Sequence, residues 1–423
     1  MKFLIKHRFL LTFFVIMLIG LYLRFYKVEV TQSFDWDQAK ESWKTRDVLM
    51  GQLVLEGPRT GVGRFHLGPL WYYLLSPFYY ITKLDPMGAN YLNFLINIFN
   101  FIVFYLITRK IFNEYAALFS ILILAVSKYL IEITRTPWYI SPVFVVSTII
   151  FYSIYKIVYK NNYKWIPLLA FLTGLFTHLH FSVVFLIPII LLSFLFVKHK
   201  KTVFIKGLIS LPLFLIWFIP IILFNLQTKN GDLSLFQNFS KDYLISGFHL
   251  RFFLYRLNDA FIQFHTILSL PPGYPFLEFI IPLIFAIVLF FEKDKKKRLL
   301  GYLMSLWFIV PAIMYSFYGG TTSEYYVLIN APLVIYILYY LQEKLLNLRF
   351  KPVIIFLLVG ILSFYIYYNT FNLWIKPNNG GLAQQKDETR KRIKRGEKIP
   401  YNEGDIKAYL YQIWVIDKKP GLN

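Results

Sequence analysis

Two carboxylates, Asp35 and Asp37, flank a tryptophan in Phe34-Asp35-Trp36-Asp37-Gln38-Ala39, just past the first long apolar run. Three chemistries suit such a pair. Two acids can grip a divalent cation, one can cap a helix, and one can take a proton from a hydroxyl. Acids two residues apart in a loop can point opposite ways, so the pair divides: Asp35 reads as cap or support, Asp37 as the functional group. A divalent metal is left open. Farther along the same segment come Glu56, Arg59, Arg64 and His66, set in Gly57-Pro58-Arg59-Thr60-Gly61-Val62-Gly63-Arg64-Phe65-His66-Leu67-Gly68-Pro69. Glycine and proline at this density shape a loop. Its guanidinium groups suit an anion such as phosphate, although a solvated loop meeting anionic headgroups would read the same way.

Three later positions add polar groups. Lys128, Glu132 and Arg135 share one helical face, and ionisable groups at the end of a span look into a cavity or snorkel to headgroups. His178 and His180 lie two apart, which disfavours a helix-borne zinc pair and leaves a phosphate- or hydroxyl-binding corner or a satisfied polar turn. Glu324 and Tyr325 open a late apolar run.

The elements that must position these groups are membrane helices. Of 423 residues, 57% are hydrophobic and only 16% charged, against about 25% charged in soluble domains. The charge gathers between long apolar runs, so the net +22 reflects basic flanks of spans rather than nucleic-acid binding. The absence of cysteine excludes disulfides and thiol chemistry. Candidate spans fall near 9–26, 88–108, 114–135, 139–158, 165–180, 182–197, 204–225, 275–291, 299–318, 324–341 and 352–370. This gives an all-α polytopic protein of about eleven transmembrane helices, each needing roughly 20 apolar residues. With the N-terminus cytoplasmic, the basic clusters at 109–110, 156–164, 198–201, 293–298 and 344–351 all fall inside.

Two external loops follow, 27–88 and 226–275. The polar part of the first, 27–69, holds six basic and six acidic residues. Within it Trp36, Ala39, Trp43 and Met50 recur at helical spacing, with Lys40, Glu41, Lys44 and Asp47 on other faces. This predicts an interfacial helix with its aromatic face toward lipid. Residues 69–80, short and rich in tyrosine, predict a second. The chain divides into a catalytic membrane module (1–225), a variable membrane module (226–371) and a polar tail (372–423). An odd number of spans puts the tail outside.

At these residues the chain resembles the GT-C membrane glycosyltransferases, the superfamily of protein O-mannosyltransferases and lipid A aminoarabinose transferases, and within it the bacterial branch with PMT- and Rgt-type domains. Asp37-Gln38-Ala39 is similar to the family's Asp-Glu/Gln-Ala element. Gly68-Pro69-Leu70-Trp71-Tyr72-Tyr73 is similar to its Pro-Leu-Tyr-Tyr helix, and the likeness runs in order over roughly 20–220. The resemblance implies a GT-C fold and transfer of a sugar from a polyprenyl-phosphate carrier to a lipid, glycan or protein acceptor at the outer face of the cell membrane, usually with inversion. Asp37 is then the base, Asp35 its neighbour, and Arg59, Arg64, His66, Arg135, His178, His180, Glu324 and Tyr325 the groups around donor phosphate and substrate. Gln38 stands where many relatives have Glu, and His178-Leu179-His180 where some have Lys. Two other readings compete. A polymerase or ligase of prenyl-linked glycans would centre on 226–275, with His249, Arg251, Arg256 and His265. A transporter would show internal repeats and mid-membrane acids, and neither is evident.

Overall fold

The computed structural model describes residues 2–61, 63–229, 231–244, 248–269, 276–318, 324–347, 351–371, 381–400, 406–411 and 413. Its helices in the first half are α1 (Lys2–Phe25), α2 (Val28–Thr31), α3 (Trp36–Leu49), α4 (Leu70–Ile81), α5 (Met87–Ile111), α6 (Glu114–Val126), α7 (Lys128–Arg135), α8 (Val143–Ile154), α9 (Ile166–Phe176) and α10 (Leu186–Ser193). There follow α11 (Lys200–Leu215), α12 (Ile219–Gln227), α13 (Gly231–Phe239), α14 (Leu250–Leu268), α15 (Phe276–Phe290), α16 (Lys295–Tyr315), α17 (Ala331–Leu346), α18 (Lys351–Phe371), α19 (Leu382–Lys394) and α20 (Ile406–Tyr411). Among the described residues, β structure is confined to two isolated bridges.

This is a multi-pass membrane protein. Among the described residues five helical stretches are long and apolar enough to cross a bilayer, or six when α6 and α7 count as one bent span. The expected spans near 139–197 and 275–291 appear as shorter apolar helices, and the one expected at 324–341 is a 3-10 stretch, Glu324–Asn330, running into α17. The helices meant to cross carry exposed apolar side chains such as Leu18, Leu95, Leu223 and Phe356, the surface that lipid covers.

Two arginines brace the start of the bundle. α6 and α7 meet at a 59° bend, which strips the last carbonyls of α6 of their intrahelical donors. The buried Arg24 of α1 supplies donors instead: Nη2 to the Leu124 carbonyl at 2.5 Å and Nη1 to that of Ala125 at 3.1 Å. In return Arg135 of α7 donates to the Leu23 carbonyl near the end of α1 (2.6 Å) and to Thr31 Oγ1 (3.3 Å). Each arginine completes the other element's frayed end.

The first loop forms a compact layer on the bundle. α4 is 12 residues long, about 18 Å at 1.5 Å per residue, too short to span ~30 Å of hydrocarbon. It buries Trp71, Tyr72, Leu75 and Tyr79 at helical spacing against α3, where Tyr79 Oη meets Ser42 Oγ at 2.8 Å. The C-terminal segment covers the other flank of α3. Tyr409 of α20 packs edge-on to Trp43 at 5.2 Å and its hydroxyl donates to the Leu84 carbonyl. Lys386 of α19, 5% exposed, reaches Glu29 at 2.7 Å and Asp85 at 2.8 Å. A buried ammonium needs such partners, and these two stand at opposite ends of the loop. The tail therefore lies on the same face of the bundle as residues 27–88.

The expected lipid-facing stripe of α3 is corrected by this arrangement. Ala39 and Trp43 are 0% and 1% exposed, whereas Trp36 and Met50 are 61% and 56% exposed. An apolar stripe does not distinguish lipid from a helix more than 350 residues away in sequence.

Candidate functional site

The stretch 57–68 folds back on itself as a hairpin. Gly57 N–H donates to the Leu67 carbonyl (2.7 Å), Leu67 N–H to that of Pro58 (2.9 Å) and Thr60 N–H to that of Phe65 (2.9 Å), placing Arg59 opposite His66. Glycine is required where the strands close: a Cβ on Gly68 would stand 2.2 Å from the His178 ring. At the tip Gly63 and Arg64 have φ of 86° and 57°, so the turn takes the left-handed conformation that glycine tolerates best.

Arg59 and His66 face each other for a reason seated elsewhere. Arg59 Nε donates to His66 Nε2 at 2.8 Å. On the other side of the ring, Asp232 of α13 lies 2.8 Å from Nδ1, and its second oxygen accepts the His66 backbone N–H at 2.9 Å. Because Arg59 can only donate, Nε2 must carry the lone pair and Nδ1 the proton, held by the Asp232 carboxylate. Burial lowers the His66 pKa below 6.5, partly opposed by Asp232, so the ring is neutral at neutral pH. The chain Asp232–His66–Arg59 thus aims one guanidinium without adding a second positive charge.

α3 supplies the opposite wall. Asp37, Lys40, Glu41 and Lys44 follow at i, i+3, i+4 and i+7, one helical face. With Glu56, Arg59, His66, Tyr72, Tyr139 and Phe224 they line a chamber of ≈ 350 Å³. Lys44 pairs with Glu56 at 2.8 Å. Burial alone would raise Glu56, but the hydrogen bond from Lys44 holds it below the usual carboxylate range. Among the described residues Asp37 has no such hydrogen-bonded partner. Surrounding protein raises its pKa above 3.8, Lys40 pulls it back and Asp35 adds to the rise. Burial in turn lowers Lys40, whose ammonium sits 3.8 Å over the Trp36 ring. The chamber therefore has an unpaired carboxylate and a positioned arginine among its lining groups.

Asp35 closes a capping box at the start of α3, with its backbone N–H donating to Gln38 Oε1 at 3.2 Å. Among the described residues no three His, Asp or Glu side chains come together as a metal site.

Of the other expected site residues, Arg135 is outside the chamber, committed to Leu23 and Thr31 as above. Arg64 is exposed at the hairpin tip. His178 is buried behind Gly68 and bonds the Trp217 carbonyl. His180, held by Ser182 at 2.7 Å, lines two neighbouring apolar cavities. One, of ≈ 140 Å³, includes Tyr139, Phe181, Tyr315 and Tyr325. The other, of ≈ 420 Å³, includes His66, Phe181, Phe218 and Phe236. Tyr139 and His66 thus border the polar chamber and an apolar cavity at once. The Glu324 side chain lies outside the described residues. Two groups of the site were not singled out from sequence. Glu41 carries a signal, four residues after Asp37, but reads in sequence only as one of the charged groups on the other faces of the helix; it is 5% exposed and accepts from Trp71 Nε1 at 2.7 Å. Asp232, 166 residues from His66, carried none.

Over residues 66–224 the chain matches the sequence profile of the dolichyl-phosphate-mannose-protein mannosyltransferases. No curated protein matches it by sequence. In three dimensions it is similar to ArnT from Cupriavidus metallidurans bound to undecaprenyl phosphate, with TM-score 0.55 and 12% identity over 97% of this chain and 75% of that one. It is also similar to the Archaeoglobus fulgidus oligosaccharyltransferase in complex with Zn and sulfate, with TM-score 0.53 and 12% identity over 95% of this chain and 57% of that one. Both have the GT-C fold, and the chain has that fold.

Proposed function

We propose that the protein transfers a sugar from a polyprenyl-phosphate carrier to a hydroxyl-bearing lipid, glycan or protein acceptor at the outer face of the cell membrane. The observation that carries this reading is the meeting of Asp37 with the Asp232–His66–Arg59 chain in one polar chamber whose walls continue into apolar cavities. The cavities suit a prenyl tail and the chamber suits the sugar phosphate. The basic connectors at 109–110, 156–164, 198–201 and 293–298 support a cytoplasmic N-terminus and an external site.

In this reading Asp37 accepts the acceptor's hydroxyl proton as its oxygen bonds to the anomeric carbon. The bond from that carbon to the carrier phosphate breaks, its electron pair leaves with the phosphate, and Arg59 balances the charge that develops there. A single displacement of this kind inverts the anomeric centre. Asp35 fixes the start of α3 and hence Asp37; His180 and Tyr325 border the lipid path.

The test is reconstitution in liposomes with undecaprenyl phosphate carrying a hexose and with a hydroxyl-bearing acceptor supplied as the glycolipid and protein fraction of the source membrane, following release of undecaprenyl phosphate. Transfer by the wild-type protein and its loss in Asp37→Asn at equal membrane abundance are expected. Full activity in Asp37→Asn would remove Asp37 from the mechanism, and no release by the wild type would overturn the reading.

A further inference from the structure

Glu41 is a buried carboxyl with half its hydrogen-bonding capacity unused. Oε2 is fixed by Trp71 Nε1 at 2.7 Å, and Trp71 itself is fully buried in α4. Oε1 is buried and has no hydrogen-bond partner among the described residues. Native proteins rarely leave such an atom unmatched. Glu41 also lines the same chamber as Asp37, one helical turn farther along α3 and deeper: Asp37 is open to the chamber mouth while Glu41 is 5% exposed.

We propose that Glu41 is a sugar-binding residue of the donor site, its Oε1 completed by a hydroxyl of the sugar to be transferred. The proposal rests on the carrier-linked sugar reading above and deepens it. Position favours the donor sugar over the acceptor, because the acceptor hydroxyl must meet Asp37 at the mouth, leaving the deeper wall to the sugar. Chemistry agrees. Burial raises the Glu41 pKa well above 4.5, against the pull of the Trp71 hydrogen bond and with a push from Asp37. Burial thus favours the neutral acid, which both donates and accepts, matching a hydroxyl that does the same. Being uncharged, it does not repel the departing phosphate.

The experiment measures binding of two lipids to the full-length protein: undecaprenyl phosphate alone, and the same lipid carrying a hexose. In Glu41→Leu, which fills the space without polar atoms, affinity for the hexose lipid is expected to fall about 10-fold while that for the bare lipid stays the same. Glu41→Gln, which keeps an acceptor for Trp71 and a donor for the ligand, is expected to bind both like wild type. Parallel loss of both lipids in Glu41→Leu marks a purely structural residue and overturns the proposal, as does unchanged hexose-lipid binding. Should Glu41→Leu not reach the membrane, Trp71→Phe, which frees Glu41 from its anchor, decides between the same two outcomes: selective loss supports it, parallel loss overturns it. Wild-type protein that binds both lipids equally overturns the Glu41 proposal and leaves the carrier reading standing; binding of neither overturns the carrier reading itself.

Discussion

The two loops between membrane helices carry similar chemical groups and use them differently. In the first, 27–88, a hairpin and one helical face bring Asp37, Arg59, His66 and Glu41 around a single chamber. In the second, 226–275, the arginines and histidines that supported a polymerase or ligase reading are spread along α14. Arg251 and His249 are exposed, Arg256 pairs with Asp259 three residues on at 2.9 Å, and none of them lines the chamber. The second loop's contribution to the chamber comes from a residue of the opposite sign, Asp232, which orients a histidine of the first. The number of cationic groups in a loop says little; their convergence on a common space does.

That contrast can be broken or sharpened by mutation. Asp37→Asn is expected to have the largest effect, a loss of about 10³-fold in kcat, within the range for a general base, measured as sugar transfer in liposomes at matched protein. Arg59→Ala comes next, about 10²-fold, as for removal of one group that stabilises developing charge, and Arg59→Lys should not restore it, since an ammonium lacks the Nε–H that His66 accepts. Asp232→Asn, which loosens the His66 tautomer without touching substrate, is expected to cost about 10-fold, on the order of a lost charged hydrogen bond. Lys40→Ala is read in the pH profile. Asp37 must be ionised to act, and Lys40 draws its pKa down, so removing the ammonium moves the acid limb of kcat to higher pH. Smallest of all, Arg251→Ala should change transfer by less than about twofold and stability by under ~0.5 kcal/mol, as for a surface site. A large loss there, with Asp37→Asn silent, would reverse the comparison.

Much of the fold was legible because hydropathy and basic connectors are set by the bilayer, which acts on each segment separately. The length of α4 and a shaped loop at the glycine-rich stretch were legible for the same local reason, although the pairing of Arg59 with His66 in a hairpin was not. What stayed hidden depends on partners distant in sequence. Arg135 looked like a cavity-facing cation but caps α1, because the bend between α6 and α7 is not written in its own residues. Trp43 looked lipid-facing but meets Tyr409. Glu41 stood among the charged groups on the other faces of α3 but lies against Trp71. Asp232 acquires its role only when α13 folds over the hairpin.

Lys386 carries a consequence for how the protein is made. It binds both ends of the first loop, Glu29 and Asp85, from a position 357 residues after the first of them, and Tyr409 follows later still. Synthesis runs from the N-terminus, so the first loop emerges early, yet the contacts that tie Glu29 to Asp85 and cover Trp43 wait for Lys386 and Tyr409 to be made and delivered to the same side of the membrane. A nascent chain that has not yet reached Lys386 holds Asp37 on a loop without these fastenings. Assembly of the first loop is thereby coupled to the arrival of Lys386 and Tyr409.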